Sequence, residues 1–228
     1  MPEQNKSLIE VGTKFGIDLT EDTTRNLMEG KDLSDPVTSL GIAVTSAFRS
    51  GLVGLAVNYV KNGFKNDILS ENPQETPYGA KSFSDYFDFI NKESPDKEHL
   101  EAATAMFFAV NDKSLKVGEQ LENYELFKRA CRLESGQLVL IGALYKQYKE
   151  EEYQDGWVSV NMWKEEVYRN SGISVDLIMA YEQGLVDNSL ISPRRQQDSN
   201  KIQYSDARLT PLGIKFCEKL EEYKPKIK

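Results

Sequence analysis

Residues 171–191 read Ser171-Gly-Ile-Ser-Val-Asp-Leu-Ile-Met-Ala-Tyr-Glu-Gln-Gly-Leu-Val-Asp-Asn-Ser-Leu-Ile191, and how this run folds decides the architecture of the last third of the chain. Ser171–Ser174 has the composition of a tight turn, and the Ser174 hydroxyl can accept from the free amides of a helix that follows it. Helical spacing puts Leu177, Ile178 and Tyr181 inward and leaves Asp176, Met179, Ala180, Glu182 and Gln183 outward. Downstream, Ser189–Ile191 can form a strand, Pro193–Asn200 is a polar loop, and Ile202–Tyr204 can form a second strand. Thr210 then caps a last helix with Pro211 at its first position and Leu212, Phe216 and Leu220 facing inward.

Upstream of the quoted run, a helix over Gly136–Glu150 carries Leu138, Ile141, Leu144, Tyr145 and Tyr148 on its buried side. The polar run 150–156 ends it. Trp157–Val160 is a short extended segment, and Asn161 can cap a helix that carries Met162, Trp163, Glu166 and Val167.

This order of helix, short strand, helix, turn, helix, hairpin and helix resembles the winged helix-turn-helix family over about residues 135–223. The likeness is carried by Tyr181-Glu-Gln-Gly-Leu-Val186, where a recognition helix in that family stops at Gly184, and by Arg208-Leu-Thr-Pro-Leu-Gly213, which follows the second wing strand. It implies double-stranded DNA as partner, with the recognition helix in the major groove and the wing along the backbone. The wing residues would be Arg194, Arg195, Gln196, Gln197 and Lys201. The recognition helix would present Asp176, Met179, Glu182 and Gln183. Here the residues conflict with the family's use. No Lys or Arg lies between Arg169 and Arg194, and a helix in a phosphate-lined groove needs cations to displace counterions and amides or guanidinium groups to read base edges. Winged helices also dock protein, and Met179 suits that use.

The first 134 residues read as a separate all-α domain, making 1–134 and 135–228 the expected division of this mainly α chain. Its most apolar stretch, Val37–Val60, has one full charge, Arg49. Ala43, Ala47 and Gly51 recur every fourth residue, a seam along which another helix can approach closely. The stretch fits a buried helix or helical hairpin. It could also serve as a homo-oligomer seam or as a conditionally membrane-associated segment, although Arg49 and the hydroxyls make it a poor span. Further helices are expected near Ser82–Ile90, capped by Ser82 or Ser84 and carrying Phe83, Tyr86, Phe87 and Phe89; from Ser94-Pro95-Asp96, with Pro95 in its first turn, to about Val110; and as an amphipathic helix with Leu121, Tyr124, Phe127 and Cys131 on its apolar face. An acidic helical first half with an Ala/Gly-rich apolar segment and a C-terminal module also resembles, in layout, bacterial proteins associated with abortive infection and phage defence.

Of the 228 residues 39% are hydrophobic and 28% charged, enough for a packed core. The net charge is −8, and residues 1–134 hold 15 basic against 22 acidic side chains, net −7. The C-terminal module is therefore nearly neutral. One His and two Cys exclude a disulfide framework and the usual zinc spacings. His99-Leu-Glu101 matches the H-x-E fragment of zinc deaminases but has no P-C-x-x-C companion, so His99 is expected to be a solvated helical residue. Asp85 and Asp88 are expected to form a solvated acidic edge, and Cys131 to be core. With no phosphate-binding, nucleophile-elbow or dinucleotide motif, the expectation is a non-enzymatic, cytoplasmic protein without cofactor or metal. DNA-binding regulation and docking to a protein partner, with homo-oligomer formation, are its candidate roles.

Overall fold

A computed structural model describes residues 52–70, 73, 76, 78–93, 95–150, 157–159, 172–193, 195–196 and 205–227. They are mainly helical and fall into two compact units. The first comprises Met1–Cys131 with Glu222–Lys228, and the second Arg132–Glu221. The last seven residues thus belong with the first unit, an assignment the sequence pattern does not reveal.

The first unit contains α1 (Leu52–Lys65), α2 (Gly79–Glu93), α3 (Lys97–Asn111) and α4 (Val117–Ala130). Helix α3 is its axis and packs against α1, α2, α4 and the terminal 3-10 turn Lys224–Ile227. Every residue from His99 to Asn111 is buried. The sequence explains this: alanines at 102, 103, 105 and 109 admit neighbours on several sides, while Met106, Phe107 and Phe108 fill the space between them. Asp96 caps α3, its carboxylate accepting from the His99 N–H at 2.9 Å. Two polar residues inside the helix turn back on its own carbonyls, Thr104 Oγ1 to Leu100 O at 2.7 Å and Asn111 Nδ2 to Phe107 O at 2.9 Å. Complete burial therefore leaves few polar groups unsatisfied.

Helix α2 packs against α3 and buries Phe83, Tyr86, Phe87 and Ile90. It starts at Gly79, ahead of the expected Ser82 or Ser84 cap, and Ser82 Oγ instead donates to Gly79 O at 2.9 Å. The Tyr86 ring stacks on Phe107 at 5.0 Å, and its hydroxyl shares a 2.5 Å hydrogen bond with Thr104. Burial pushes the Tyr86 phenol far above its ordinary range. In α1, Ala56, Val57, Tyr59 and Val60 are buried while Asn58 and Lys65 are exposed. This amphipathic helix thus continues past the apolar stretch. A Cβ at Gly63 would lie 2.7 Å from the Phe108 ring, so a side chain there would force α1 and α3 apart.

Helix α4 departs from the expected facing. Its buried stripe is Gln120, Asn123, Tyr124, Leu126, Phe127 and Ala130, whereas Leu121 is 45% exposed. Asn123 turns inward because its Nδ2 donates to Ala109 O of α3 at 2.6 Å. That rotates Leu121 outward. Cys131, expected in the core, is only half-buried and forms the C-cap of α4.

The C-terminal residues close this unit. The buried Tyr223 donates to Asp112 Oδ2 at 2.7 Å, Ile227 is buried, and Lys224 Nζ lies 3.8 Å from Glu98 and 3.9 Å from Glu101.

The second unit contains α5 (Ser135–Glu150), β1 (Trp157–Ser159), α6 (Val175–Asp187), β2 (Arg195–Gln196), β3 (Ser205–Arg208) and α7 (Pro211–Tyr223), the last leaving the unit after Glu221. Helices α5 and α6 cross on two glycines. A Cβ at Gly136 would meet the Tyr181 ring at 2.1 Å, and one at Gly184 would meet Gln137 Nε2 at 1.9 Å. Gly184 is therefore a crossing point within α6, and the helix continues to Asp187 with Asn188 as its C-cap. This corrects the expectation that it stops at Gly184: the missing side chain serves close packing and not a left-handed turn.

The three strands form an antiparallel sheet in the order β1-β3-β2, with Trp157 opposite Arg208 and Arg195 opposite Asp206. The expected strand at Ser189–Ile191 is reduced to one bridge, Ile191 with Leu209, because Ser189 takes a positive φ of 59° in the turn after α6. The β2–β3 pairing is only two residues long. Residues 197–204, and with them the full expected hairpin and its strand at Ile202–Tyr204, lie outside the described residues, as does the expected helix at Asn161–Val167.

Candidate interaction site

The outer face of α6 is the candidate site, and its local sequence places it. Gly172, at φ +69°, reverses the chain. Ser174 then caps the helix, its hydroxyl accepting from Leu177 N at 3.4 Å. Asp176 occupies the first turn, where the helix dipole favours an acid.

The buried stripe is Ile178, Glu182 and Leu185, with Tyr181 half-buried at its border. Two expectations are thereby overturned. Glu182, read as outward, is 6% exposed; Leu177, read as inward, is 43% exposed. Residues 178, 182 and 185 recur at helical spacing, so choosing Leu185 and Ile178 for the core carries position 182 inward regardless of its polarity. Asp176, Met179, Ala180 and Gln183 are exposed as expected, Met179 at 53%. With about 3.6 residues per turn, Asp176, Ala180, Gln183 and Asp187 fall on one line along the helix. Leu177 borders that line on one side and Met179 on the other. Gln183 Nε2 donates to Asp187 Oδ1 at 2.8 Å along it.

Of the expected wing, Arg195 and Gln196 belong to β2 at the edge of the sheet, in register with Asp206 and Ser205. Arg194, Gln197 and Lys201 lie outside the described residues, as do Ala43, Ala47 and Gly51 of the apolar seam. Among the described residues no helix is long and apolar enough to cross a membrane.

The remaining candidates are absorbed into packing. His99 is not solvated. It is buried, with Nε2 2.9 Å from Ala130 O and its ring edge-on to Phe89 at 4.8 Å. The imidazole thus joins α3 to the end of α4, an inward turn that a single His on a helix does not reveal. Glu101 is held by the Tyr59 hydroxyl at 3.4 Å and by Lys97 and Lys224 near 4 Å. The expected acidic edge is likewise tied into the fold, since Asp85 accepts from the Tyr124 hydroxyl and is half-buried. Burial pushes the Tyr124 phenol well up, and the Asp85 carboxylate adds to the effect. Burial, reinforced by Glu221 and Glu218, also pushes the Cys217 thiol far up, so this cysteine lacks the thiolate character a nucleophile needs. Among the described residues no three His, Cys, Asp or Glu side chains are grouped to hold a metal ion.

Compared with models of protein families, with curated proteins and with solved structures, the chain matches none.

Proposed function

We propose that the second unit is a winged-helix module used to dock protein, in a non-enzymatic adaptor or regulator. One observation carries this reading: the helix that a DNA-binding winged helix would lay in the major groove exposes Leu177 and Met179 beside an acidic line. Burying an aliphatic side chain of this size contributes roughly 1.5–3 kcal/mol. About half of that is still open to recovery at each of these two residues, and a protein partner could recover it. The same face set against DNA would bring Asp176 and Asp187 towards phosphates with no cation on the helix to displace counterions. The features this reading draws on are the strand order β1-β3-β2 and the return of Thr210 onto Leu190 O at 3.1 Å.

A second reading, backbone contact with double-stranded DNA through the wing, is favoured by the position of Arg195 at the sheet edge. Its register opposite Asp206 argues against a strongly cationic edge. The two readings separate by co-purification from the source cells of the full chain and two variants. Docking predicts that Met179→Asp loses the co-purifying protein and that Arg194→Ala with Arg195→Ala keeps it. Salt-sensitive duplex binding, lost in the double arginine variant and kept in Met179→Asp, would replace docking with the DNA reading.

A further inference from the structure

Independently of α6, we infer that the first unit carries a peptide-binding groove across α1 and α3, filled in cis by the chain's own Tyr223-Lys-Pro-Lys-Ile-Lys228 and open to a partner segment of the same chemistry when that copy leaves. The first unit is discontinuous in sequence, since Glu222–Lys228 joins it after the whole of the second unit, Arg132–Glu221. The terminal turn Lys224–Ile227 lies against α1 and α3. Side chains hold it there. Tyr223 and Ile227 are inserted, each 1% exposed, the Tyr223 hydroxyl reaches Asp112, and Lys224 reaches Glu98 and Glu101. From Tyr223 onwards the segment has three lysines and no acid, whereas residues 1–134 are net −7, so the charges of segment and groove are complementary.

The acids of the groove also have partners of their own. Glu101 accepts from the Tyr59 hydroxyl of α1 and lies 4.0 Å from Lys97, apart from its contact with Lys224. Asp112 accepts from the Ser114 N–H and hydroxyl on Oδ1 and from Tyr223 on Oδ2. The receiving unit thus holds both carboxylates in place itself, an arrangement that lowers the cost of ordering a binding site. The segment is likewise ordered from within, with Lys226 Nζ 4.1 Å from the Tyr223 ring centroid and 3.4 Å from Glu222. A tyrosine hydroxyl for Asp112, a lysine for Glu98 and Glu101, and an aliphatic side chain in the place of Ile227 define the class of ligand.

The test uses the full chain and a labelled peptide of residues 222–228. Tyr223→Ser with Ile227→Ser removes both inserted side chains and should leave a folded chain that binds the peptide. The parent should bind it at least about tenfold more weakly, because its tethered copy competes at an effective concentration on the order of mM. Phenylalanine for Tyr223 in the peptide should weaken binding roughly tenfold, the scale of a hydrogen bond to a charged group. Glutamate for Lys224 should weaken it severalfold, by a margin that shrinks with salt. Met179→Asp on α6 should leave peptide binding unchanged. In the parent, the amides of Lys224, Lys226 and Ile227 should exchange faster than those of α3, through an opening that keeps α3 closed. Equal binding by parent and variant, or binding indifferent to the peptide's tyrosine, overturns the groove as the site. A double-serine variant that binds no peptide or unfolds, or terminal amides that exchange at the rate of α3, makes the segment a fixed part of the fold and overturns the inference.

Discussion

Helices α3 and α6 have 15 and 13 residues, and each begins at a side-chain N-cap, Asp96 or Ser174. From His99 onwards α3 is buried on every side, whereas α6 is buried along one stripe and exposes Leu177 and Met179. Capping and propensity do not separate them. What does is where their polar side chains go. Thr104 and Asn111 of α3 bond back to their own helix, so they can be enclosed. Asp176 and Asp187 of α6 keep their charge in water, and Leu177 and Met179 stay exposed on either side of their line while Ile178 and Leu185 are buried. An apolar side chain on α3 is thus part of the unit's stability, whereas one on the outer face of α6 is available to a partner.

The largest expected effect comes from α3. Phe107→Ala, at a fully buried position stacked on Tyr86, should lose about 3–5 kcal/mol in urea unfolding. Met179→Ala should change stability by less than about 0.5 kcal/mol. Comparable losses from the two substitutions would break the contrast. Next in size is a test of the second unit's own packing. Gly213→Ala would drive a Cβ to 2.0 Å from the Leu190 carbonyl oxygen, and should cost about 1–3 kcal/mol. A neutral result would mean that the start of α7 is not held against residues 189–190. Removing the cap of α6 with Ser174→Ala should cost about 1 kcal/mol, seen as earlier thermal unfolding of the second unit.

The C-terminal closure of the first unit gives a pH-dependent test. Burial opposes ionisation of Asp112, but the Ser114 hydroxyl and N–H, the Tyr223 hydroxyl and the Lys226 ammonium outweigh it and hold the carboxyl below its ordinary value. A depressed folded-state pKa contributes stability that is present above the unfolded value of about 3.9 and lost as pH falls through the folded one. Asp112→Asn should therefore be less stable than the parent near neutrality. The difference should narrow as pH drops below about 4, and Tyr223→Phe should show the same trend more weakly. A difference independent of pH would remove Asp112 from the closure.

How much of this was legible in the sequence follows from the range of each interaction. Ser174 and Thr210 were readable as helix caps because a cap acts within three residues, whereas α3 begins later than expected, with Asp96 as its cap and Pro95 outside it. The mainly helical class, the bounds of α5 to within one residue and the start of α7 were readable for the same reason. Helix rotation was not. Leu121, Leu177, His99 and Glu182 were each assigned the wrong side, because facing depends on tertiary partners such as Ala109 O for Asn123 and Ala130 O for His99. Gly184 was misread because a glycine at a helix crossing and one at a helix end look alike until Gln137 is placed beside it. The return of the last residues was hidden by distance, since Tyr223 and Asp112 are 111 positions apart.

Two methionines, one on each helix of the comparison, allow the central claim to be measured in a single experiment. Met106 of α3 is fully buried and Met179 of α6 is 53% exposed, and methionine oxidation follows exposure. Peroxide footprinting of the full chain should oxidise Met179 quickly and Met106 slowly. Random-sequence duplex DNA at low salt should leave the Met179 rate unchanged, and the protein that co-purifies with the chain should slow it severalfold. Protection of Met179 by the duplex and not by the co-purifying protein would contradict the account and return α6 to the role of a DNA-recognition helix.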